Sequence, residues 1–326
     1  MKAIQIRESS PERELFIGEV PEPVCTPDGV VVEVHAAGVN RADLLQRAGK
    51  YPPPPGASPI LGLEVAGVVG AVGERVQAVR PGDRVCALLS GGGYAERCVV
   101  PGGHIMKLPD NISFEEGAGL PEAFVTAFLS LFSEGGLRSG ERALIHGGSS
   151  GVGTAAIQLA KLGGAEVCCT VRNKAKASAC LGLGADLAIL YCDEDFSKAA
   201  RQWSPAVIDV ILDSVGGEYV SREVPILAQG GRLVLISSAG GATGSFHVPT
   251  LMAKRAKIVG SVLRSRSAEE KAELVRAFAE RYLGQFADGQ LKVVVDSVFS
   301  LASAEQAHQR MQSSEHIGKL VLRVSQ

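Results

Sequence analysis

The chain is expected to be an α/β protein in which a doubly wound parallel sheet is joined to a second, β-rich domain. Three observations predict this. At 326 residues the chain exceeds the usual size of one domain. Residues 1 to about 122 are punctuated by Gly and Pro and carry short apolar runs of strand length. From Glu122 onward helix and strand patterns alternate, which implies parallel strands linked by right-handed crossovers.

Taken in order, strands are expected at Lys2 to Ile6, Leu15 to Glu19, Val30 to Ala37, Val65 to Val72, Arg84 to Leu89 and Tyr94 to Val100. Turn signals such as Pro27-Asp28-Gly29 and Pro81-Gly82-Asp83 separate them. Between these strands, Asn40 to Ile60 reads as a short helix followed by the prolines Pro52 to Pro55. Proline fixes φ and cannot continue a helix, so Tyr51 is placed on a stiff loop. A helix over Pro121 to Phe132 leads into a strand at Ala143 to His146, and a glycine turn then opens into a helix with apolar Ala155, Ala156, Leu159 and Leu162 on one face. Gly163 and Gly164 stop it.

The alternation continues with strand Glu166 to Val171, helix Lys174 to Leu183, strand Leu187 to Leu190 and helix Asp193 to Trp203. Strand Val207 to Leu212, a helix near Tyr219 to Leu227 and strand Arg232 to Ser237 complete the series. A strand at Ile258 to Leu263, an amphipathic helix at Ala268 to Leu283, a strand at Leu291 to Phe299, a helix at Ser303 to Ser313 and a strand at Lys319 to Val324 follow. This closing segment is more like the beginning of the chain than its middle. The expected division is therefore 1–122, 123–264, and a return segment 265–326 that completes the first domain.

Composition narrows the function classes. Hydrophobic residues at 46% against 21% charged suit a large core, and a net charge of -2 gives no general reason to expect nucleic acid or an anionic membrane as partner. No run approaches about 18 apolar residues, so no membrane span is expected. The seven cysteines are odd in number and none is spaced C-x-x-C, which is reduced-thiol usage and points to the cytoplasm. Early Glu8, Pro11, Glu12 and Glu14 fit neither a secretory signal nor a transit peptide.

The stretch from Ala143 to Lys161 carries the chemistry. A strand, a glycine turn and a helix N-terminus make an anion cradle: outward N–H groups and the helix dipole favour negative charge, and missing side chains admit a pyrophosphate. Gly148, Gly151 and Gly153 read G-x-x-G-x-G, departing from the usual order, and an ordinary tight turn remains an alternative. Gly147-Gly148-Ser149-Ser150-Gly151 also satisfies the G-x-S-x-G nucleophile elbow, with Asp213 and then His247, His308 or His316 available as acid and base.

The second strand weighs against that rival. It ends Val171-Arg172-Asn173, followed by Lys174 and Lys176, with no carboxylate to accept from a ribose 2'-hydroxyl. Arg172 and Lys176 instead favour the 2'-phosphate of NADPH, the alternative being a solvated helix start.

With these residues assembled, the chain resembles the zinc-free quinone oxidoreductases of the medium-chain dehydrogenase/reductase superfamily, the group that includes zeta-crystallin. The resemblance rests on five ordered blocks: Asn40-Arg41-Ala42-Asp43, Gly62-Leu63-Glu64-Val65-Ala66-Gly67, Pro81-Gly82-Asp83-Arg84-Val85, Gly91-Gly92-Gly93-Tyr94-Ala95-Glu96 and the glycine turn. The segment Asn40 to Ser58 is most similar to the tumour-suppressor-inducible branch. The resemblance implies a GroES-like catalytic domain, completed by the C-terminus, and a Rossmann domain. Zinc-dependent relatives carry Cys where this chain has Asn40 and G-H-E where it has Gly62-Leu63-Glu64, so no metal is expected.

By the same resemblance, Gly148, Ser149, Ser150, Gly151 and Val152 cradle the pyrophosphate, and Lys176 and Tyr191 meet the 2'-phosphate. Asn40 and Thr126 face the nicotinamide, and Leu263-Arg264-Ser265 bonds its carboxamide, Leu263 and Ser265 through the backbone. Tyr51 is the candidate substrate contact, its hydroxyl donating to a quinone oxygen. Each has a plainer alternative: Asn40 as a helix cap, Thr126 as a buried helix residue, Tyr191 as strand-end packing, Tyr51 stacked on the prolines. The implied activity is hydride transfer from NADPH to a quinone. Reduction of enones or enoyl thioesters, and a low-turnover crystallin-like role, are the alternatives. A homodimer pairing strands around Ile258 to Leu263 is implied as well.

Overall fold

The computed structural model describes residues 1–204 and 208–324. It divides into one unit made of Met1–Val125 with the segment from Leu263 onward, and a second of Thr126–Val262. The first unit starts with β1 (Lys2–Ile6), β2 (Leu15–Glu19), β3 (Gly29–Val39), α1 (Arg41–Arg47), β4 (Glu64–Val72), β5 (Arg84–Leu88), β6 (Arg97–Pro101), β7 (Ile105–Lys107) and α2 (Phe114–Ala118), and the chain then enters α3 (Pro121–Phe128). The second unit holds β8 (Arg142–His146), α4 (Gly151–Leu162), β9 (Glu166–Val171), α5 (Lys174–Gly182), β10 (Leu187–Leu190), α6 (Phe196–Trp203), β11 (Ile208–Asp213), α7 (Tyr219–Glu223), β12 (Leu227–Leu235), α8 (Val248–Lys254) and β13 (Lys257–Gly260). The chain then returns through α9 (Ala268–Ala287), β14 (Val295–Ser300), α10 (Ala304–Ser313) and β15 (Lys319–Arg323).

In the first unit, β3 is the spine. It pairs antiparallel with β4 along one edge, and with β6 and then β15 along the other, within the sheet order β14-β15-β3-β4-β5-β7. Its Val30, Val32 and Val34 meet Val65, Val69, Leu320 and Leu322 in one core, as alternation on a half-covered sheet demands. Helix α9 packs through Val275, Phe278, Tyr282 and Phe286, spaced three and four apart, with Phe286 edge-on to Phe124 at 4.9 Å.

The second unit is the expected doubly wound sheet. Six parallel strands run β10-β9-β8-β11-β12-β13, so the chain leaves central β8 in one direction and returns to its other side at β11. The place where the order reverses, beside the carboxyl end of β8, is where such sheets bind ligands. Ala143, Leu144 and Ile145 of β8 are fully buried, the signature of a strand covered on both faces.

Element ends differ from the sequence expectation where local chemistry intervenes. Helix α3 is straight only to Phe128; Leu129–Glu134 widen into a π turn, closed by the Gly135 N–H donating to Ser130 O at 2.9 Å. Tyr94 and Ala95 do not extend β6 but cross to β1, where Tyr94 O accepts from Ile4 N–H. Helix α6 starts at Phe196 because Asp195 caps it. The helix α7 gives way to a tight turn at Pro225, and β12 begins at Leu227. Helix α9 runs on to Ala287, because Phe286 continues its buried stripe. Strand β14 begins only at Val295, after Val294 O accepts from Lys319 N–H at 2.7 Å. Val207 lies outside the described residues. The short elements β7, α2 and α8 had no sequence pattern long enough to register.

Candidate functional site

Two groups of residues carry the chemistry, one in each unit. In the second unit, β8 delivers the chain into the glycine turn at the switch point. Gly147 has φ +71°, a left-handed conformation that suits glycine. The Gly148 N–H donates to Thr170 O at 3.0 Å, tying the turn to β9. A Cβ on Gly153 would lie 2.2 Å from Gly147 O and 2.7 Å from Gly148 C, so only glycine lets α4 start this close under the turn. Ser150 caps α4, its Oγ accepting from Gly153 N–H at 3.0 Å, and Thr154 N–H donates to Ser150 O. Gly151 and Val152, in the first helical turn, are left with N–H groups that have no intrahelical partner. The cradle thus offers amides, hydroxyls and the positive end of a helix dipole, and no acidic side chain in that first turn, which fits a pyrophosphate. Ser149 is buried and no histidine of this unit bonds to it among the described residues. Asp213 is spent capping Val215 and Gly216, so the nucleophile-elbow alternative finds no assembled triad here.

At the end of β9, Arg172 is exposed and Asn173 caps α5, its Oδ1 accepting from Lys176 N–H at 3.0 Å. The Lys176 side chain is largely covered, while Tyr191 at the end of β10 is 38% exposed. No Asp or Glu lies among residues 171 to 176.

Beneath the turn, His146 Nδ1 faces Thr170 Oγ1 at 3.0 Å and Nε2 faces Glu223 Oε1 at 3.0 Å, with both side chains wholly buried. Burial pulls His146 down to about 4 and pushes Glu223 up to about 8, so at neutral pH this is a carboxyl against a neutral imidazole. Folded Glu223 keeps a proton that an unfolded glutamate loses near pH 4.5, so its contribution to stability falls as pH rises toward and through 8. His146 acts in the opposite sense only below about 6.5. Between pH 6.5 and 9 the decline is unopposed by His146, and Glu223→Gln is expected to remove about 2 kcal/mol of it in urea unfolding curves taken across that range. An unchanged slope would show that this carboxyl is already ionised at neutral pH.

In the first unit, Asn40 precedes α1, and the Asp43 carboxylate reaches back to accept from Asn40 N–H at 2.8 Å. The Asn40 side chain is not used as the cap. Its Nδ2 donates to Glu64 Oε1 at 2.9 Å, and its Oδ1 accepts from Lys319 Nζ at 2.6 Å. Lys319 also donates to Val39 O at 2.9 Å and pairs with Glu64 Oε1 at 2.6 Å, so all three ammonium protons are placed. The Glu64 side chain is 0% exposed and that of Lys319 4%. Glu64 Oε2 accepts from Glu122 N–H at 2.8 Å, fixing the start of α3. Burial, with Glu64 nearby, pushes Glu122 up to about 8. Asp43, raised by burial to about 6, also accepts from Gly62 N–H and from Tyr94, whose hydroxyl contacts His308.

The loop bearing Tyr51 is clamped by Arg264. This buried guanidinium donates to Ser90 O at 2.9 and 3.0 Å, to Gln46 Oε1 at 2.6 Å and to Tyr51 O at 3.3 Å, and lies 5.2 Å over the Tyr51 ring. Buried Lys271 donates to Ser90 Oγ at 2.6 Å. The Tyr51 hydroxyl has no hydrogen-bond partner among the described residues, and burial, then Glu122, raises it above the ordinary phenol value, so it stays a donor. Leu263 is buried and Ser265 exposed in a turn closed by Arg266 N–H to Leu263 O at 3.2 Å. Thr126, half-buried in the other unit, gives its carbonyl to Ser130 Oγ.

Asn40 and Tyr51 are thus held by residues to which sequence reading gave another role or none: Glu64 stood only within a motif block, Arg264 within the segment expected at the carboxamide, and Glu122, Lys271 and Lys319 had no assigned role. Lys319 carried a usable signal, being a charge that opens an otherwise apolar strand, Leu320-Val321-Leu322.

Comparison with known proteins agrees with this layout. The zinc-binding dehydrogenase family matches residues 151–280 and the alcohol dehydrogenase GroES-like domain matches residues 26–110. The chain is 32% identical to the quinone oxidoreductase of Lama guanicoe, over 99% of this chain and 97% of that one. The quinone oxidoreductase of Escherichia coli complexed with NADPH superposes with a TM-score of 0.88 at 27% identity, covering 99% of this chain and 100% of that one. The CurK enoyl reductase does so with a TM-score of 0.86 at 27% identity, covering 99% of each.

Zinc does not fit the residues present. The oxygens of Asn40 and Glu64 already hold an ammonium ion, a second cation beside it would be repelled, and no group of three or more His, Cys, Asp or Glu is gathered for a metal among the described residues. On the match of both its halves and on full-length relatives above 30% identity, the chain belongs to the medium-chain dehydrogenase/reductase superfamily of oxidoreductases.

Proposed function

We propose that the protein is an NADPH-dependent quinone reductase that works without zinc. The observation that carries this reading is the glycine cradle at the switch point, followed by a β9 terminus that offers Arg172 and Lys176 and no carboxylate. When bound, NADPH supplies the hydride. The protein binds and orients: Gly148, Ser149, Ser150, Gly151 and Val152 take the pyrophosphate, and Arg172, Lys176 and Tyr191 the 2'-phosphate. On the family pattern, Asn40, Thr126, Leu263 and Ser265 serve the nicotinamide end. Tyr51 donates its unpartnered hydroxyl to the acceptor oxygen as charge develops there.

Replacing both Arg172 and Lys176 by alanine is expected to raise the KM for NADPH about thirtyfold or more, through loss of two charge-assisted bonds, and to leave that for NADH nearly unchanged. Equal effects on both cofactors would remove the 2'-phosphate argument. The similarity to an enoyl reductase keeps one second reading, reduction of activated double bonds. An acceptor panel at fixed NADPH with product analysis separates the two. Quinone-dependent oxidation with little enone turnover is expected, and the reverse ranking moves the assignment to the enones.

Two further readings go with this one. A homodimer would pair the edge strand β13, whose far side has no neighbouring strand among the described residues, and sedimentation of the purified protein measures it. All seven cysteines are free, in keeping with a reducing cytoplasm. No helix among the described residues is long and apolar enough to cross a membrane.

A further inference from the structure

Beneath the glycine turn lies a buried polar chain that the proposed chemistry does not use. Thr170, near the end of β9, holds two successive amides of the turn: its Oγ1 accepts from Gly147 N–H at 3.3 Å and its carbonyl from Gly148 N–H at 3.0 Å. Thr170 Oγ1 also meets His146 Nδ1 at 3.0 Å. His146 closes β8, and Ser214 Oγ, directly after β11, donates to His146 O at 2.9 Å, so both neighbouring strands grip the residue that leads into the turn. The imidazole lies edge-on to Phe196 at 4.7 Å and to Tyr219 at 5.0 Å, and Glu223 Oε1 stands 3.0 Å from its Nε2. Thr170, His146 and Glu223 are all buried.

The surrounding charges decide the state of this chain. Arg222, the residue before Glu223 in α7, places its guanidinium over the rings of Phe196 and Tyr219, 4.6 Å from each, and pairs with Asp195 at 3.6 Å. No ion pair joins it to Glu223 among the described residues. Asp213 of β11 also acts on the pair, but its carboxylate is held by the N–H groups of Val215 and Gly216 and brings only further negative charge. Glu223 Oε2 has no hydrogen-bond partner among the described residues. An ionised Glu223 would be a buried charge without compensation, so the carboxyl keeps its proton at neutral pH. In either imidazole tautomer Thr170 Oγ1 retains a lone pair for Gly147 N–H, because a hydroxyl has two and His146 takes at most one.

We propose that Thr170 and His146 are positioning residues for dinucleotide binding: they set the entry to the glycine turn, and the protonated carboxyl of Glu223 completes their chain while keeping negative charge away from the anion cradle. The effect on binding rests on the NADPH reading above; the hold on the turn does not. Without the Thr170 hydroxyl, Gly147 N–H loses its acceptor in a place closed to water, and the turn must shift to repair the loss. With Glu223 ionised, a full negative charge stands only three contacts, of 3.0, 3.0 and 3.3 Å, from the amide that opens the cradle, and it repels the pyrophosphate.

The test compares Thr170→Val, which keeps the shape of the side chain and deletes the hydroxyl, with Thr170→Ser, which keeps the hydroxyl. Isothermal titration is expected to give an NADPH dissociation constant about tenfold higher for the valine variant and within about threefold of wild type for the serine variant. Amide hydrogen exchange over residues 143–153 of the nucleotide-free protein reads the turn itself, and should quicken about tenfold in Thr170→Val and hardly at all in Thr170→Ser. Thermal unfolding checks that both variants are folded. Native affinity in Thr170→Val, or an equal loss in both variants, would overturn the proposal. Glu223→Gln supplies an independent arm. Burial pushes Glu223 up to about 8, so from about pH 7 to about pH 9 the wild-type dissociation constant should rise about fivefold as the carboxyl ionises, while that of Glu223→Gln stays level. Other groups titrate alike in both proteins, and parallel profiles would remove Glu223 from the proposal. If the wild type binds no NADPH at any pH, the cofactor reading falls, while faster exchange in Thr170→Val still supports the hold on the turn.

Discussion

Lys319→Met is expected to lower the unfolding free energy by about 3–5 kcal/mol, the range for removing one partner of a buried ion pair. Methionine matches the length of the aliphatic stem, so the loss is electrostatic rather than a packing defect. The Glu64 carboxylate would remain, without exposure to solvent and without the ammonium that sits 2.6 Å from it, and the carbonyl of Val39 and the amide oxygen of Asn40 would lose their donor. Glu64→Gln in the same chain removes the stranded charge, and the amide oxygen can keep one of the two acceptor roles, toward Asn40 Nδ2 or toward Glu122 N–H, which are filled by different oxygens of the carboxylate. The double variant should therefore recover at least half of the loss, because well-filled neutral replacements of buried pairs are often tolerated. Urea unfolding of the wild type, the two single variants and the double variant measures the coupling directly. If the double variant is as unstable as Lys319→Met alone, the damage lies elsewhere than in the uncompensated carboxylate.

Gly153→Ala is the second large effect. The added methyl would sit 2.2 Å from a carbonyl oxygen and 2.7 Å from a carbonyl carbon, and because both are backbone atoms no side-chain rotation relieves the clash. The turn must open, which separates Ser150 Oγ from its amide and moves the free N–H groups of Gly151 and Val152. NADPH affinity is expected to fall by about a hundredfold or more, with about 1–3 kcal/mol of stability lost to overpacking. Gly182, in α5, is the control. A Cβ there meets nothing within 4 Å, so Gly182→Ala should be neutral or stabilise by up to about 1 kcal/mol, with nucleotide binding unchanged. Isothermal titration with thermal unfolding compares the two, and near-native affinity in Gly153→Ala would show that the turn is more pliant than its contacts imply.

What could be read from the residues alone is what depends on neighbours in sequence. The run Ala143 to Leu162 declares strand, turn and helix within twenty positions, and the structure bears out the doubly wound sheet it implied. Asn40 and Tyr51 stood out by pattern, but the groups that hold them did not, since Lys319 is 279 positions from Asn40 and Arg264 is 213 from Tyr51. Those pairings arise from β15 docking beside β3 and from the chain's return after β13, both tertiary facts. Element ends were lost for a related reason. The π turn after Phe128 and the late start of β14 answer to Gly135 and Lys319, whose influence no helix or strand period reveals.

The position of β15 sets an order on assembly. As the polypeptide emerges during synthesis, every strand of the second unit is available by Gly260, whereas β3 waits for partners some 280 residues downstream. The later-born unit is thus able to fold first, leaving the β3 edge beyond its pairing with β6 exposed to any other extended chain in the interval. Ribosome-stalled chains ending before β15 should accordingly carry a protease-resistant second unit behind a protease-sensitive first one, and should be recognised by chaperones at that open edge.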